Sequence, residues 1–349
     1  MLDDPRSFGY SLGVATARTA AKAGLNGSDK QGAARRSSSK APKKTSAATK
    51  VPPAPIEYRA SLFSSGLLPP GLAEAVQDLE EAVKRPVWLC IQRGPAAQAS
   101  LGPEVLNMFR TVRTQLAADG PIALVLESPG GYAEDAYRLA RFLRHHATGF
   151  AAIVPTYAKS AATLLALGAD EIVMGTDAEM GPLDAQLWDN EREERSSALD
   201  EVQALERLHS VALEQLDETM LTMLGGMRKR TEVLLPIACG FVAEMMVPLL
   251  DKIDTVHYAK QSRVLKVAQD YAERLLAPRY PAMRARQIAD TLVNQYPEHG
   301  FVIDREEMGS LLQRDLEPSV QADDAINRID ECLCQNPPFV AIGRLEEAK

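Results

Sequence analysis

The sequence predicts an α/β fold in the middle of the chain, followed by a mainly helical C-terminal half. Short continuous apolar runs, typical of buried strands, alternate there with amphipathic stretches in units of about 25–30 residues. Such alternation favours parallel strands joined by right-handed helical crossovers. Beyond Asp189 the apolar runs give way to long stretches with Leu, Val and Met at three- and four-residue spacing, which is typical of helices with one buried face.

The individual elements follow from these patterns. Apolar runs predict strands at Val87–Ile91, Ile122–Leu126, Phe150–Pro155 and Glu171–Met174. Amphipathic spacing predicts helices at Leu72–Val83, Val105–Leu116, Ala133–Leu143, Ser160–Leu167, Ala198–Leu224, Arg263–Leu276 and Ala282–Tyr296. Val233–Leu250 is the most apolar stretch, but two prolines, a glycine and a glutamate interrupt it. It therefore predicts a buried or interface helix pair and no membrane span.

Composition and charge separate a basic tail from an acidic body. The chain has 349 residues, 46% hydrophobic and 25% charged, which is typical of a soluble globular protein. Residues 1–55 are rich in Ala, Ser, Lys and Gly and predict a disordered tail. Residues 1–50 carry ten Lys/Arg against three Asp, a net charge of +7; because the whole chain carries −8, the remainder carries −15. The acidic body argues against nucleic-acid binding, whereas the basic tail could dock an acidic partner.

Cysteine use and the N-terminus favour a cytoplasmic protein. Cys90, Cys239, Cys332 and Cys334 are too few and too scattered for a disulfide framework. The C-x-C pair lacks a second ligand pair nearby, so we expect free thiols and no metal site. The first residues contain no basic segment followed by an apolar stretch, and we therefore expect no secretory signal.

Three loops follow consecutive predicted strands, at the sheet edge where ligands of open parallel sheets bind. The first, Glu127–Gly131, contains two adjacent glycines, Gly130 and Gly131. Glycines allow a sharp turn and leave backbone N–H groups uncovered, so these amides could stabilise an oxyanion. Taken alone, the loop is more often an ordinary strand-to-helix turn.

The second and third loops add a hydroxyl and a carboxylate. Ser160 begins a predicted helix, where the helix dipole and the Ala161 N–H would stabilise negative charge beside its Oγ. A serine at this position is also a common helix N-cap. The third loop, Met180–Gln186, is a Gly-Pro turn that carries Asp184; its alternative interpretation is a simple turn with a capping Asp.

In this order, the three loops resemble those of the superfamily of Clp protease proteolytic subunits, signal peptide peptidase A and crotonases, and most closely the serine dehydrogenase proteinase group. The resemblance is carried by Leu124–Gln186 and, more weakly, by Tyr271–Glu307, together somewhat under a third of the chain. It implies an α/β, ClpP/crotonase-like spiral of βαβ units with a mainly helical C-terminal extension. On this basis residues 56–190 form the core, and residues 191–349 form an extension that completes the core and makes the oligomer interface.

The same resemblance implies roles for individual residues. Ser160 falls on the family's nucleophilic serine, and Gly130 or Gly131 together with Ala161 fall on the backbone donors of its oxyanion hole. The general base departs from the family pattern. Where Clp-type peptidases have a histidine, this chain has Asp184, and the lysine of signal peptide peptidase A is missing from residues 199–212.

One arrangement would restore a triad. His299 lies close to where Clp-type peptidases have the acid, so His299 could act as the base with Asp184 orienting it. His209, Lys260 and Lys266 stay open as alternative bases.

The sequence therefore predicts a cytoplasmic serine peptidase that hydrolyses polypeptides through an acyl-enzyme on Ser160. It requires no metal or organic cofactor, and we expect it to form a homo-oligomer because the apolar Val233–Leu250 segment needs a partner surface. Two alternatives stay open: a catalytically degenerate scaffold or assembly protein, and a crotonase-like enzyme that acts on an acyl thioester.

Overall fold

The computed structural model describes residues 56–94, 98–183, 186–189, 194–227 and 229–348, with only the backbone at 186–189 and 194–202. All of these residues fall within one compact unit. The tail predicted at residues 1–55 lies outside the described residues, as does Asp184. The domain limits predicted at 190 and 191 stay predictions.

Strands and helices alternate through the first half of the described chain. The strands are β1 (Tyr58–Ala60), β2 (Phe63–Ser64), β3 (Val87–Gln92), β4 (Ile122–Glu127), β5 (Phe150–Val154), β6 (Tyr157–Ala158), β7 (Glu171–Met174), β8 (Glu179–Met180), β9 (Gln186–Asp189), β10 (Glu194–Ser197), β11 (Ile303–Asp304), β12 (Val340–Gly343) and β13 (Leu345–Glu347). The helices are α1 (Leu72–Val83), α2 (Pro103–Thr111), α3 (Arg113–Asp119), α4 (Ala133–His146), α5 (Ala161–Leu167), α6 (Ala198–Gly226), α7 (Thr231–Leu250), α8 (Thr255–Leu276), α9 (Ala282–Asp290), α10 (Arg305–Leu312) and α11 (Val320–Gln335), with a π-helical turn at Thr291–Gln295. The predicted α/β class is confirmed, while the spiral arrangement of βαβ units stays a prediction.

The main sheet has six strands in the order β2-β12-β3-β4-β5-β7. The four predicted strands β3, β4, β5 and β7 are all present and pair in parallel. Every residue of β3, β4 and β5 is buried, as expected for a parallel sheet covered on both faces. Strand β12 was not predicted; it returns from the C-terminal region and pairs antiparallel with β3.

Helices cover the two faces of this sheet and form two apolar clusters. Alternate residues of each strand point to opposite faces, so Trp88 of β3 joins one cluster and Leu89 joins the other. The first cluster includes side chains of α2, α4, α5, α8 and α9, and the second includes side chains of α1 and α11. Much of the region beyond residue 255 therefore builds the core around the sheet.

Two predicted helices differ from those observed. The helix predicted at Val105–Leu116 is divided into α2 and α3 at Val112, which has φ −108° and ψ 18°. The preceding Thr111 hydroxyl donates to the Met108 carbonyl at 2.7 Å, a local bond that competes with the helical pattern. The helix predicted at Ala282–Tyr296 ends at Asp290 and continues as the π-helical turn.

The helix pair predicted at Val233–Leu250 is wrong, because α7 is one continuous helix. Pro236 lies in its second turn and Pro248 in its last, so each proline removes one backbone hydrogen bond near a helix end. Within the described residues, α7 alone is long and apolar enough to cross a membrane. Its mean hydropathy is 2.1, and 22% of its 18-residue apolar stretch is buried. A single helix of this kind is weak evidence for a membrane segment.

Candidate active site

A second sheet, of three short strands in the order β11-β8-β6, positions the candidate site. Ala158 of β6 pairs in parallel with Met180 of β8, and Met180 pairs antiparallel with Ile303 of β11. Ser160 follows β6 by two residues, and His299 precedes β11 by four. β11 runs opposite to β8, and β6 runs parallel to β8. The chain therefore enters β11 at the end of the sheet where it leaves β6 and β8. The topology thus brings the Ser160 and His299 segments to the same end of the sheet.

Ser160 occupies a sharp turn between β6 and α5. Its φ of 50° and ψ of −117° lie in a region that non-glycine residues rarely adopt, at a cost of about 1–3 kcal/mol. A strained strand-to-helix turn of this kind presents the nucleophile in α/β-hydrolases. The Ser160 side chain is partly exposed, and its hydroxyl does not cap any N–H of the described helix α5. The N-cap alternative therefore fails.

The glycine loop lies directly against this turn. A Cβ atom on Gly130 would lie 2.9 Å from Ser160 Cβ and 3.1 Å from the Ala161 nitrogen. A Cβ on Gly131 would overlap the Leu101 backbone. Both glycines have positive φ, 104° and 151°. Space and backbone conformation thus both require glycine here.

Hydrogen bonds distinguish the two glycine amides. The Gly130 N–H donates to Ser128 Oγ at 3.1 Å, and the Gly130 carbonyl accepts from the Leu101 N–H at 2.7 Å. Neither the Gly131 N–H nor the Ala161 N–H donates to an acceptor among the described residues. Gly131 and Ala161 therefore have the two amides that are available to an oxyanion, whereas the Gly130 amide is already engaged.

Further bonds join the glycine loop to the Ser160 turn. The Ser128 N–H donates to the Tyr157 carbonyl at 3.1 Å, and the Lys159 N–H donates to the Ser128 carbonyl at 3.0 Å. The buried Glu127 accepts the Tyr157 N–H at 3.0 Å through Oε2. These bonds thus hold the two loops in a fixed relation immediately before Gly130 and Ser160.

Thr163 of α5 links the third loop to the same turn. Its hydroxyl lies 2.7 Å from the Ala158 carbonyl and 2.8 Å from the Gly181 carbonyl, and it accepts the Gly181 N–H at 3.2 Å. The Leu183 N–H donates to the Leu292 carbonyl at 2.8 Å. The segment that leads to Asp184 is therefore bonded to the π-helical turn that precedes His299.

Comparison with known proteins agrees with this geometry. Residues 104–225 match the family described as ClpP-like SDH-type serine proteinase. The match covers 122 of the 349 residues, about a third of the chain. The resemblance predicted from the three loops is confirmed, and the matched region contains the glycine loop and Ser160, whereas His299 lies outside it.

Two similar proteins come from Methanocaldococcus jannaschii, and both are uncharacterized proteins. One is 45% identical over 81 residues, which are 23% of this chain and 28% of the relative. The other is 44% identical over 69 residues, 20% of this chain and 24% of the relative. The match thus spans about a quarter of each relative's length.

The alternative bases lie in more exposed settings. His209 is exposed on α6 and Lys260 is exposed on α8. Lys266 of α8 is ion-paired with Asp270 at 3.0 Å, with 55% of its side chain exposed. An exposed, ion-paired ammonium is not the desolvated neutral amine that a lysine base requires. His299, in contrast, is half-buried in the turn before β11.

Four fully buried polar side chains around the site were given no role from the sequence: Gln92, Glu127, Ser128 and Thr163. Burial raises the pKa of Glu127 to about 7, and the nearby Arg93 guanidinium partly offsets this rise. One sequence feature could have identified two of them: Gln92 and Glu127 are each a polar residue at the carboxyl end of an otherwise apolar strand. Their partners come from other strands and could not be identified from spacing.

Proposed function

We propose that this protein is a serine peptidase in which Ser160 attacks the scissile carbonyl of a polypeptide. The observation that carries the proposal is the Ser160 turn, which lies against two glycines and beside two amides that are not engaged by described residues. The match of residues 104–225 to a serine proteinase family supports it. The relatives are uncharacterized, so the activity rests on this geometry and on the family.

The mechanism follows from the roles of these groups. Ser160 Oγ forms a bond to the carbonyl carbon as its proton passes to the His299 imidazole, which Asp184 orients. The Gly131 and Ala161 N–H groups donate to the oxyanion of the tetrahedral intermediate. The C–N bond then breaks and His299 returns the proton to the leaving amine. Water attacks the acyl-enzyme with His299 again as base, which releases the acid and restores Ser160.

Labelling of the full chain with a fluorophosphonate tests this function. We expect the wild type to be labelled, Ser160→Ala to abolish labelling, and His299→Gln to slow it at least about hundredfold. The exposed Ser310→Ala and His209→Gln are the matched controls and should label like the wild type. Circular dichroism verifies that each variant is folded.

Other results would contradict the proposal in distinct ways. A folded wild type that is never labelled would favour the degenerate scaffold. Turnover of an acyl thioester without labelling would favour the crotonase-like enzyme. Labelling that survives His299→Gln but is lost with His209→Gln, Lys260→Met or Lys266→Met would reassign the base.

We propose further that the enzyme is a homo-oligomer in which α7 contacts a second copy of the chain. One stripe of α7, formed by Leu234, Ala238, Val242 and Met246, is buried. The remaining large apolar side chains of the helix are 38–52% exposed. An exposed apolar surface of this kind is typical of an interface between protein molecules.

The neighbouring helix favours a protein partner over a lipid bilayer. Glu218 of α6 lines the same surface groove as Phe241, which lies at the middle of α7. Exposed Glu214 and Asp217 lie on the same helix. A bilayer centred on α7 would take these carboxylates into its hydrocarbon, at high cost. A second copy would cover the apolar side chains and leave the carboxylates at a solvated rim.

A further inference from the structure

We propose that Ser128 and Gln92 are positioning residues that set the direction of the oxyanion-binding amide of Gly131. The inference rests on the proposed function, since it concerns the same site. The Ser128 hydroxyl donates to Gln92 Oε1 at 2.7 Å and accepts the Gly130 N–H at 3.1 Å. Both side chains are fully buried, so water does not compete for these bonds.

The chain of hydrogen bonds has a fixed direction. The Gln92 side-chain amide donates from Nε2 to the Gln98 carbonyl at 2.5 Å, which leaves Oε1 as the acceptor facing Ser128. A serine hydroxyl has one proton, and because that proton goes to Gln92, its lone pairs face the Gly130 N–H. Each group thus determines the orientation of the next, from the end of β3 to the glycine loop.

This chain constrains the peptide group that matters for catalysis. The Gly130 N–H is held by Ser128 and its carbonyl by the Leu101 N–H. In a planar trans peptide, N–H and C=O point in opposite directions. The Gly131 N–H therefore points away from Leu101 when the Gly130 carbonyl points towards it.

Two adjacent glycines would not hold this orientation by themselves. Glycine populates positive and negative φ about equally, so a Gly-Gly loop without anchors samples several peptide orientations. The close approach of Gly130 to Ser160 limits the space but does not select the direction of an N–H. The Leu101 bond directs the Gly130–Gly131 peptide and the Ser128 bond holds the peptide before it, so Gly130 is anchored on both sides before substrate arrives. Both anchors contribute to the preorganisation that oxyanion stabilisation requires.

Steady-state hydrolysis of a p-nitrophenyl ester tests the inference, with kcat and KM determined separately. The negative charge on the carbonyl oxygen develops only in the transition state, so misdirecting the Gly131 amide should lower kcat and leave KM unchanged. We expect Ser128→Ala to lower kcat at least about tenfold with KM within about twofold. Ser128→Thr keeps the hydroxyl and should retain most of the activity.

Matched variants distinguish positioning from loss of structure. Ser61 also accepts one backbone N–H, from Arg344 at 2.9 Å, but lies beside β12 away from the site, so Ser61→Ala should keep kcat. If Ser128→Ala does not fold, Gln92→Met removes the acceptor of the Ser128 proton while nearly preserving side-chain volume, and the same loss of kcat is expected. Thermal unfolding of every variant accompanies the kinetics.

The outcomes for the inference and for the proposed function are separable. If Ser160→Ala hydrolyses the ester as fast as the wild type, the proposed function fails. If Ser160→Ala is inactive but folded Ser128→Ala and Gln92→Met keep the wild-type kcat, or change only KM, the positioning role is overturned. An equal loss of kcat in Ser61→Ala would also overturn it, because the effect would then be general destabilisation.

Discussion

At the residue scale, the proposed reactivity of Ser160 rests on its backbone conformation and its surroundings. Its φ is positive, its hydroxyl caps no N–H of α5, and the first amide of that helix donates to no acceptor among the described residues. The adjoining backbone is held by its hydrogen bonds with three side chains: Glu127 and Ser128 accept from backbone N–H groups, and Thr163 donates to a carbonyl. The cost of the strained turn is thus offset by bonds that lie outside the turn itself.

Glu127 leads to a prediction about pH. Its pKa is raised by burial from the ordinary value of 4.5 to about 7, so the folded protein holds this proton more tightly than the unfolded chain does. The contribution of the group to stability is complete below about pH 4.5 and is lost as pH rises through about 7. Between pH 4.5 and pH 8 the wild type should lose up to about 3 kcal/mol of its free energy of unfolding through this group. We expect Glu127→Gln to abolish that loss.

Denaturant unfolding at pH 5 and pH 8 measures this effect. The glutamine keeps an oxygen for the Tyr157 N–H, so the variant changes the charge and preserves the bond. Glu179→Gln, at a partly exposed carboxylate paired with Lys159, is the control and should keep the wild-type pH dependence over this range. Identical pH dependence in wild type and Glu127→Gln would contradict the prediction.

At the element scale, helix α5 depends on a cation supplied by a distant part of the chain. The helix has seven residues, all buried, and its C-terminal carbonyls lack partners within the helix itself. The Arg279 guanidinium donates to the carbonyls of Leu167 and Ala169. Burial lowers the pKa of Arg279 to about 10, so it stays charged at neutral pH and interacts favourably with the helix dipole.

We expect Arg279→Leu to lower the free energy of unfolding by about 2–3 kcal/mol, because it leaves buried carbonyls without donors. Denaturant unfolding measures the loss. Arg138→Leu is the control: this arginine lies on α4 with 54% of its side chain exposed, paired with Glu134, and its removal should cost less than about 1 kcal/mol. Equal losses in the two variants would show that Arg279 does not cap α5.

At the scale of the whole molecule, much of the region beyond residue 255 is built into the core, whereas most large apolar side chains of α7 are about half exposed. Helix α8 lies against α4 and α5, and β12 completes an edge of the main sheet. Helix α7 packs only one stripe against its neighbour α6. This contrast is the reason to expect that assembly takes place through α7.

We expect Phe241→Asp to dissociate the oligomer, raising its dissociation constant at least about tenfold, because it buries a charge in the apolar interface. Analytical ultracentrifugation of the full chain measures this change. Val320→Asp is the control, since Val320 is an exposed apolar residue at the start of α11. A wild type that is monomeric and floats with phospholipid vesicles would contradict the proposal and indicate that α7 binds membranes instead.

What the sequence by itself determined depends on neighbours along the chain. Four buried strands follow from apolar runs, since burial on both sheet faces removes the polar alternation. The Ser160 turn and the glycine loop follow from short runs of small residues after two of those strands. Periodicity failed where a local bond competed with the helix, as at Thr111, and where prolines near the ends of α7 were tolerated.

Only the tertiary structure decided which glycine amide is available, because the Gly130 N–H and carbonyl are engaged by Ser128 and by the distant Leu101. It likewise decided that β11 brings His299 to the end of the sheet where Ser160 lies, and that Glu127 is enclosed by residues from other elements. The physical reason is common to all three. Hydrogen bonding and desolvation depend on contacts between segments far apart in the chain, and no local pattern encodes them.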